Sequence, residues 1–127
     1  LAPGLDLVVL GLGVNGHVGM NEPGSAADSP TRKVDLAPET IAGSARYLDP
    51  ANRHPDRLPT WGVTLGMAAI RGARRVWVWV TGTGKAEIVR ACVEGPSGED
   101  RPASLLAAHP ACTWWLDEPA AALLDRR

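Results

Sequence analysis

Two kinds of run alternate along this chain. Leu5-Asp6-Leu7-Val8-Val9-Leu10 is short, nearly all apolar and stopped by glycine, the mark of a strand inside a sheet covered on both faces. Val76-Trp77-Val78-Trp79-Val80 is uniformly β-branched or aromatic and predicts a second strand. Cys112 to Leu116 predicts a third, and Thr31 to Leu36 a weaker extended piece. Between these runs the pattern turns helical. Helices are expected over Glu39 to Ala45, Trp61 to Ile70, Ala103 to Ala108 and Glu118 to Leu124. Gly84 to Glu94 predicts another, with Ile88, Val89, Cys92 and Val93 as its apolar stripe and Gly95-Pro96 as its end. Residues 49–60, with Pro50, Pro55 and Pro59 among charges, read as a solvated loop. Strands alternating with helices predict an α/β fold with an open, mainly parallel sheet and helices on both faces. Ligands of such sheets bind beyond the carboxyl ends of the strands, so the segments after Leu10, Val80 and Leu116 are the places to look for chemistry.

Length and composition narrow this picture. The 127 residues (13.4 kDa) suit one domain, and 45% apolar with 21% charged residues exclude disordered and fibrous classes. Thirteen basic against fourteen acidic residues give a net charge of −1, without the basic excess that sequence-independent nucleic-acid binding needs. No run approaches the 18 or so apolar residues of a membrane-spanning helix, and no signal-like segment opens the chain; a cytoplasmic protein is expected. Cys92 and Cys112 lack metal or redox spacing. A disulfide between them stays open, with two unpaired thiols preferred. The absence of an initiator Met before Leu1 suggests a fragment.

Gly11-Leu12-Gly13-Val14-Asn15-Gly16 formally matches the dinucleotide-binding GxGxxG, with Asp35 downstream. That motif needs a helix to begin within the glycines so that its amino end holds the pyrophosphate. Gly19, Pro23, Gly24 and Pro30 forbid one, so the match is a decoy. The same loop holds His17 and Glu22. A histidine with a carboxylate in reach can shuttle protons near neutral pH, and the pair can equally be two turn-capping residues. Chemistry alone leaves both readings open.

The run Leu7 to Ser25, with Gly16-His17 and Asn21-Glu22-Pro23 at its centre, resembles the signature of the glucosamine-6-phosphate deaminases, also called isomerases. The resemblance continues through Ser29 to Arg32, Ser44 to Tyr47, Leu58 to Gly66, Thr81 to Lys85, Glu94 to Pro96, Ala108 to Pro110 and Leu116 to Glu118. It implies a Rossmann-like fold of which residues 1–127 form a carboxyl-terminal portion. It implies conversion of glucosamine 6-phosphate and water into fructose 6-phosphate and ammonia, with no metal and no cofactor. The partner is a small-molecule sugar phosphate, not nucleic acid or membrane, and the full-length protein is expected to be a possible homo-oligomer.

Residue by residue, His17 matches the family's ring-opening histidine and Glu22 the carboxylate that orients it. Asn15 takes a position where the best-known members carry Asp. An amide can hold His17 but adds no charge to stabilise an imidazolium, which leaves Glu22 as the expected nearby carboxylate. Lys85, in Thr81-Gly82-Thr83-Gly84-Lys85, matches the phosphate-binding lysine and Arg46 a second phosphate contact; Gly16 belongs to the same substrate-binding group. Arg32 aligns with an effector-binding residue of hexameric relatives, although Val34 replaces the lysine expected beside it. The aspartate that takes the proton from carbon 2, and a glycine-rich Ser/Thr phosphate loop, belong to the family's amino-terminal half; Asp6, Asp28, Asp35 and Asp49 do not match it. The related 6-phosphogluconolactonases, and a non-catalytic sugar-phosphate binding module, are the alternatives. His54 reads as solvated, His109 as structural, and the five tryptophans as core or helix-facing residues.

Overall fold

The computed structural model of the chain describes residues 4–52 and 54–125. β1 (Leu7–Gly11), β4 (Arg75–Val80) and β5 (Cys112–Leu116) form a three-stranded parallel sheet in the order β1-β4-β5. Leu7 pairs with Arg75 and Val76 with Cys112. β2 (Arg32–Asp35) and β3 (Trp61–Thr64) make a separate antiparallel ribbon, Arg32 opposite Thr64. The helices are α1 (Pro38–Ser44), α2 (Met67–Arg71) and α3 (Ala86–Val93), and Pro102–Ala108 is a 3-10 helix. The α/β class, with a parallel sheet and flanking helices, is the one the sequence pattern predicts.

The core lies against one face of the sheet. Val8, Val76, Val78 and Val80 point into it, where they meet Met67 and Ile70 of α2, Val89 and Cys92 of α3, and Leu106 of the 3-10 helix. Alternation along a strand sends the intervening residues to the opposite face. There Val9, Trp79 and Trp115 are 58%, 52% and 45% exposed. Trp115 meets Trp77 edge-to-face and Trp79 at a tilt, with ring centroids 5.6 and 5.8 Å away. Three tryptophans depart from expectation: Trp61, Trp79 and Trp115 are exposed, whereas Trp114 packs against the core as expected.

Two predicted helices are corrected. Trp61 to Ile70 is not one helix; it is β3 followed by α2, because Trp61–Thr64 finds an antiparallel partner in β2. Gly66 separates the two elements, and a Cβ there would stand 2.2 Å from backbone atoms of Ser29 and Pro30. Glu118 to Leu124 is a series of turns, held by Asp117 Oδ1 accepting from the Ala120 N–H at 2.9 Å. Both cysteines are free thiols, and burial pushes Cys92 up to about 11. His109 pins the start of β5, its Nε2 2.8 Å from the Ala73 carbonyl and its Nδ1 accepting from the Ala111 N–H at 3.0 Å.

Candidate active site

All three parallel strands end on the same side, and the loops that leave β1 and β4 help line one cleft of about 680 Å³. His17 from the β1 loop, Lys85 from the β4 loop, and Glu39, Thr40 and Arg46 from α1 and its extension all line it. No helix begins between residues 12 and 31, so the GxGxxG run builds turns rather than a pyrophosphate cradle. The Gly16 N–H donates to the Gly13 carbonyl at 3.0 Å and the Gly13 N–H to the His17 carbonyl at 2.9 Å. Gly13 is obligatory for another reason: a Cβ there would lie 2.2 Å from His17 Cε1, inside the ring's place.

Buried Asn21 anchors the far side of the loop. Its Nδ2 donates to the Val18 and Leu65 carbonyls at 3.0 and 2.9 Å, and its Oδ1 accepts from Arg32 at 3.0 Å. Thr64 Oγ1 accepts from the Met20 N–H at 2.9 Å. The Asn21-Glu22-Pro23 element thus works by fastening the loop to β3, which aims Glu22 inward. Arg32 also donates to Ser25 Oγ at 3.0 Å and to the Pro30 carbonyl at 3.1 Å; its guanidinium serves the same frame.

The centre of the site is a hydrogen-bond cluster around Asn15. Asn15 Oδ1 accepts from the His17 N–H at 3.1 Å and lies 2.8 Å from His17 Nδ1. Asn15 Nδ2 donates to Glu22 Oε2 and to Glu39 Oε1, both at 2.8 Å. Glu22 Oε2 is 3.5 Å and Thr40 Oγ1 3.3 Å from His17 Nδ1. Glu22 Oε1 is buried without a hydrogen-bond partner among the described residues. The expectation that Glu22 is the only nearby carboxylate is corrected, since Glu39 bonds the same amide. Burial lowers the His17 pKa below its ordinary 6.5 and Lys85 lowers it further, against the raising influence of Glu22 and Glu39. The imidazole is therefore neutral at pH 7 and available as a base.

Lys85 lines the same cleft, and its Nζ donates to the Leu12 carbonyl. Burial, then the neighbouring Arg46 charge, hold it below the usual lysine value. Arg46 is exposed and lies over the Tyr47 ring, 4.8 Å from its centroid. The Lys85 loop is fixed by Asp117, whose two carboxylate oxygens both accept from the Gly82 N–H at 3.0 Å. Gly82 has φ +93°, which favours glycine there. Gly16 is placed apart from the cleft: it is buried, has φ +88°, and would press any Cβ against Arg101 at 3.2 Å.

Sequence reasoning thus brought His17, Glu22, Asn15, Lys85 and Arg46 together and missed Glu39, Thr40 and Asp117. Pro38-Glu39 reads locally only as a helix start. Nothing in that signal announces a bond to a residue 24 positions earlier. Among the described residues, no three His, Cys, Asp or Glu side chains gather as a metal ion would need, and no helix is long and apolar enough to cross a membrane.

The family profile of glucosamine-6-phosphate isomerases/6-phosphogluconolactonases matches residues 1–115. A glucosamine-6-phosphate deaminase of Rhodopirellula baltica is 50% identical over 126 residues, 99% of this chain and 49% of that protein. One from Corynebacterium kroppenstedtii is 41% identical, over 99% of this chain and 47% of its own length. Among solved structures, a monomeric glucosamine-6-phosphate deaminase superposes with TM-score 0.86 at 39% identity, over 93% of this chain and 47% of that one. The 6-phosphogluconolactonase of Trypanosoma cruzi gives TM-score 0.69 at 26% identity, over 98% of this chain and 43% of its own. The chain spans about half the length of the curated relatives it matches. With its profile covering residues 1–115, the chain belongs to the glucosamine-6-phosphate isomerase/6-phosphogluconolactonase family.

Proposed function

We propose that this chain supplies the ring-opening site and two phosphate-binding cations of a glucosamine-6-phosphate deaminase, as the carboxyl-terminal portion of one sugar-phosphate domain. The observation that carries this reading is the His17 ring, held at Nδ1 by Asn15 and Glu22, in one cleft with Lys85 and Arg46. In ring opening, His17 takes the proton from the anomeric hydroxyl and returns it to the ring oxygen; one imidazole can do both. Lys85 and Arg46 hold the 6-phosphate, Lys85 as a compact charge and Arg46 through its planar fork. The open-chain amine then loses a proton from carbon 2 and gains one at carbon 1, and water releases ammonia to leave fructose 6-phosphate. The carbon 2 base is expected outside these 127 residues.

An enzyme assay on the protein as its gene encodes it tests this. Ammonia release from glucosamine 6-phosphate is expected. Binding of the sugar phosphate without ammonia would overturn the reading, and hydrolysis of 6-phosphogluconolactone in its place would point to the lactonases.

A further inference from the structure

Asn15 is a fully used amide. Its oxygen faces the His17 backbone N–H and ring Nδ1, and its two Nδ2 hydrogens go to two different carboxylates. A carboxylate only accepts. An amide turned the other way would face Glu22 and Glu39 with its oxygen and the His17 N–H with its own N–H, which leaves four groups without partners. The amide orientation is therefore set by the carboxylates. With Oδ1 towards the ring, His17 Nδ1 must carry the hydrogen. Nε2, which receives no hydrogen bond from the described residues, is then the lone-pair atom.

Glu22 reaches the ring as well as the amide, at 3.5 Å from Nδ1. Glu39 touches the amide. It projects from the first turn of α1 and is exposed, yet the Asn15 hydrogen bond draws its carboxyl below the usual range. We propose that Glu39 is a positioning residue that acts through Asn15 to hold His17 in the Nδ1–H tautomer, with Nε2 as the proton-accepting atom. This rests on the reading of His17 as the ring-opening base, and extends it to the group that decides which nitrogen works. The charged groups acting on His17 are Glu22, Glu39 and Lys85, and Arg46 acts on Lys85. Glu39 thus does two separable things: it accepts a hydrogen bond, and it adds negative charge.

The test uses the protein as its gene encodes it, with 15N-labelled histidine and the His17 resonances assigned by their loss in His17→Ala. In the parent, above the titration of His17, Nδ1 is expected to give the shift of a protonated nitrogen and Nε2 that of a lone pair. Glu39→Leu, which can neither accept nor carry charge, is expected to give a mixture of tautomers. Its kcat should fall by about tenfold with KM within about twofold, a fraction of what general acid–base catalysis supplies. Glu39→Gln keeps an acceptor and should restore both the single tautomer and kcat to within about twofold. Both variants should move the acid limb of kcat/KM to lower pH, because each removes a charge that favours the imidazolium. Glu39→Ala repeats the first arm should Glu39→Leu fail to fold. An unchanged tautomer in Glu39→Leu and Glu39→Ala overturns the proposal, as does an equal kcat loss in Glu39→Gln. A parent that releases no ammonia overturns the proposed function instead, and the tautomer measurement still reads the positioning role.

Discussion

His17 gathers three oxygens of different character on one nitrogen: an amide at 2.8 Å, a hydroxyl at 3.3 Å and a carboxylate at 3.5 Å. The opposite nitrogen has no hydrogen-bond partner among the described residues, and this division suits the proposed role of a base better than that of a structural histidine. His109, with both nitrogens bonded to backbone, is the contrast within the same chain. His17→Ala is expected to lower kcat by at least about a hundredfold, while calorimetric binding of inorganic phosphate stays within about twofold. Equal loss of both would mean that His17 holds the phosphate. Lys85→Ala should do the reverse: loss of a charge-assisted bond of about 2 kcal/mol raises KM about thirtyfold in steady-state kinetics. The pH dependence follows from the lowered pKa of His17. Between 6.5 and that lower value the unfolded chain holds a proton that the folded chain refuses. The His17 contribution to stability is thus present above 6.5 and is lost as pH falls through this window. Chemical denaturation at a series of pH values should show the decline, and His17→Gln should remove it.

At the scale of elements, legibility tracked how local each cause is. β4 and β5 were readable because their own residues are uniformly suited to a pleated surface, and α3 because its stripe is continuous. Trp61–Thr64 was not. Its strand character comes from β2, some thirty positions earlier, and its spacing mimics a helix because α2 follows after two residues. The site divides in the same way. His17, Asn15 and Glu22 lie within one loop whose residues carry the motif, whereas Glu39 and Asp117 reach their partners across the fold. Gly66 marks the junction that periodicity overlooked. Gly66→Ala is expected to destabilise the fold in urea titration, since backbone rather than a flexible side chain stands in the way. In α2, Met67 and Ile70 are both wholly buried; Ile70→Ala should cost about 2–5 kcal/mol. Exposed Val63 on β3 is the control, with Val63→Thr expected within about 0.5 kcal/mol of the parent.

For the whole molecule, the uneven covering of the sheet governs behaviour in solution. One face is packed with valines against α2 and α3, and the other shows Leu7, Val9, Trp79 and Trp115 to solvent. An apolar patch of contiguous strands and indole rings favours association. The 127 residues on their own are expected to bind an apolar dye and to scatter light as a species heavier than 13.4 kDa. The double change Trp79→Lys, Trp115→Lys should reduce both signals, and a dye-free monomer in the parent would contradict the expectation. The strand order has a further consequence, for the timing of assembly. Among the described residues β1 bonds to β4 alone, and their paired residues are 68 positions apart, as Leu7 with Arg75 shows. At a synthesis rate of roughly 5–20 residues per second, Leu7–Gly11 leaves the ribosome about 3–14 s before β4 does. β1 therefore waits for β4. For those seconds the edge of Val8-Val9-Leu10 that β4 will take stays open to whatever in the cell binds nascent apolar chain.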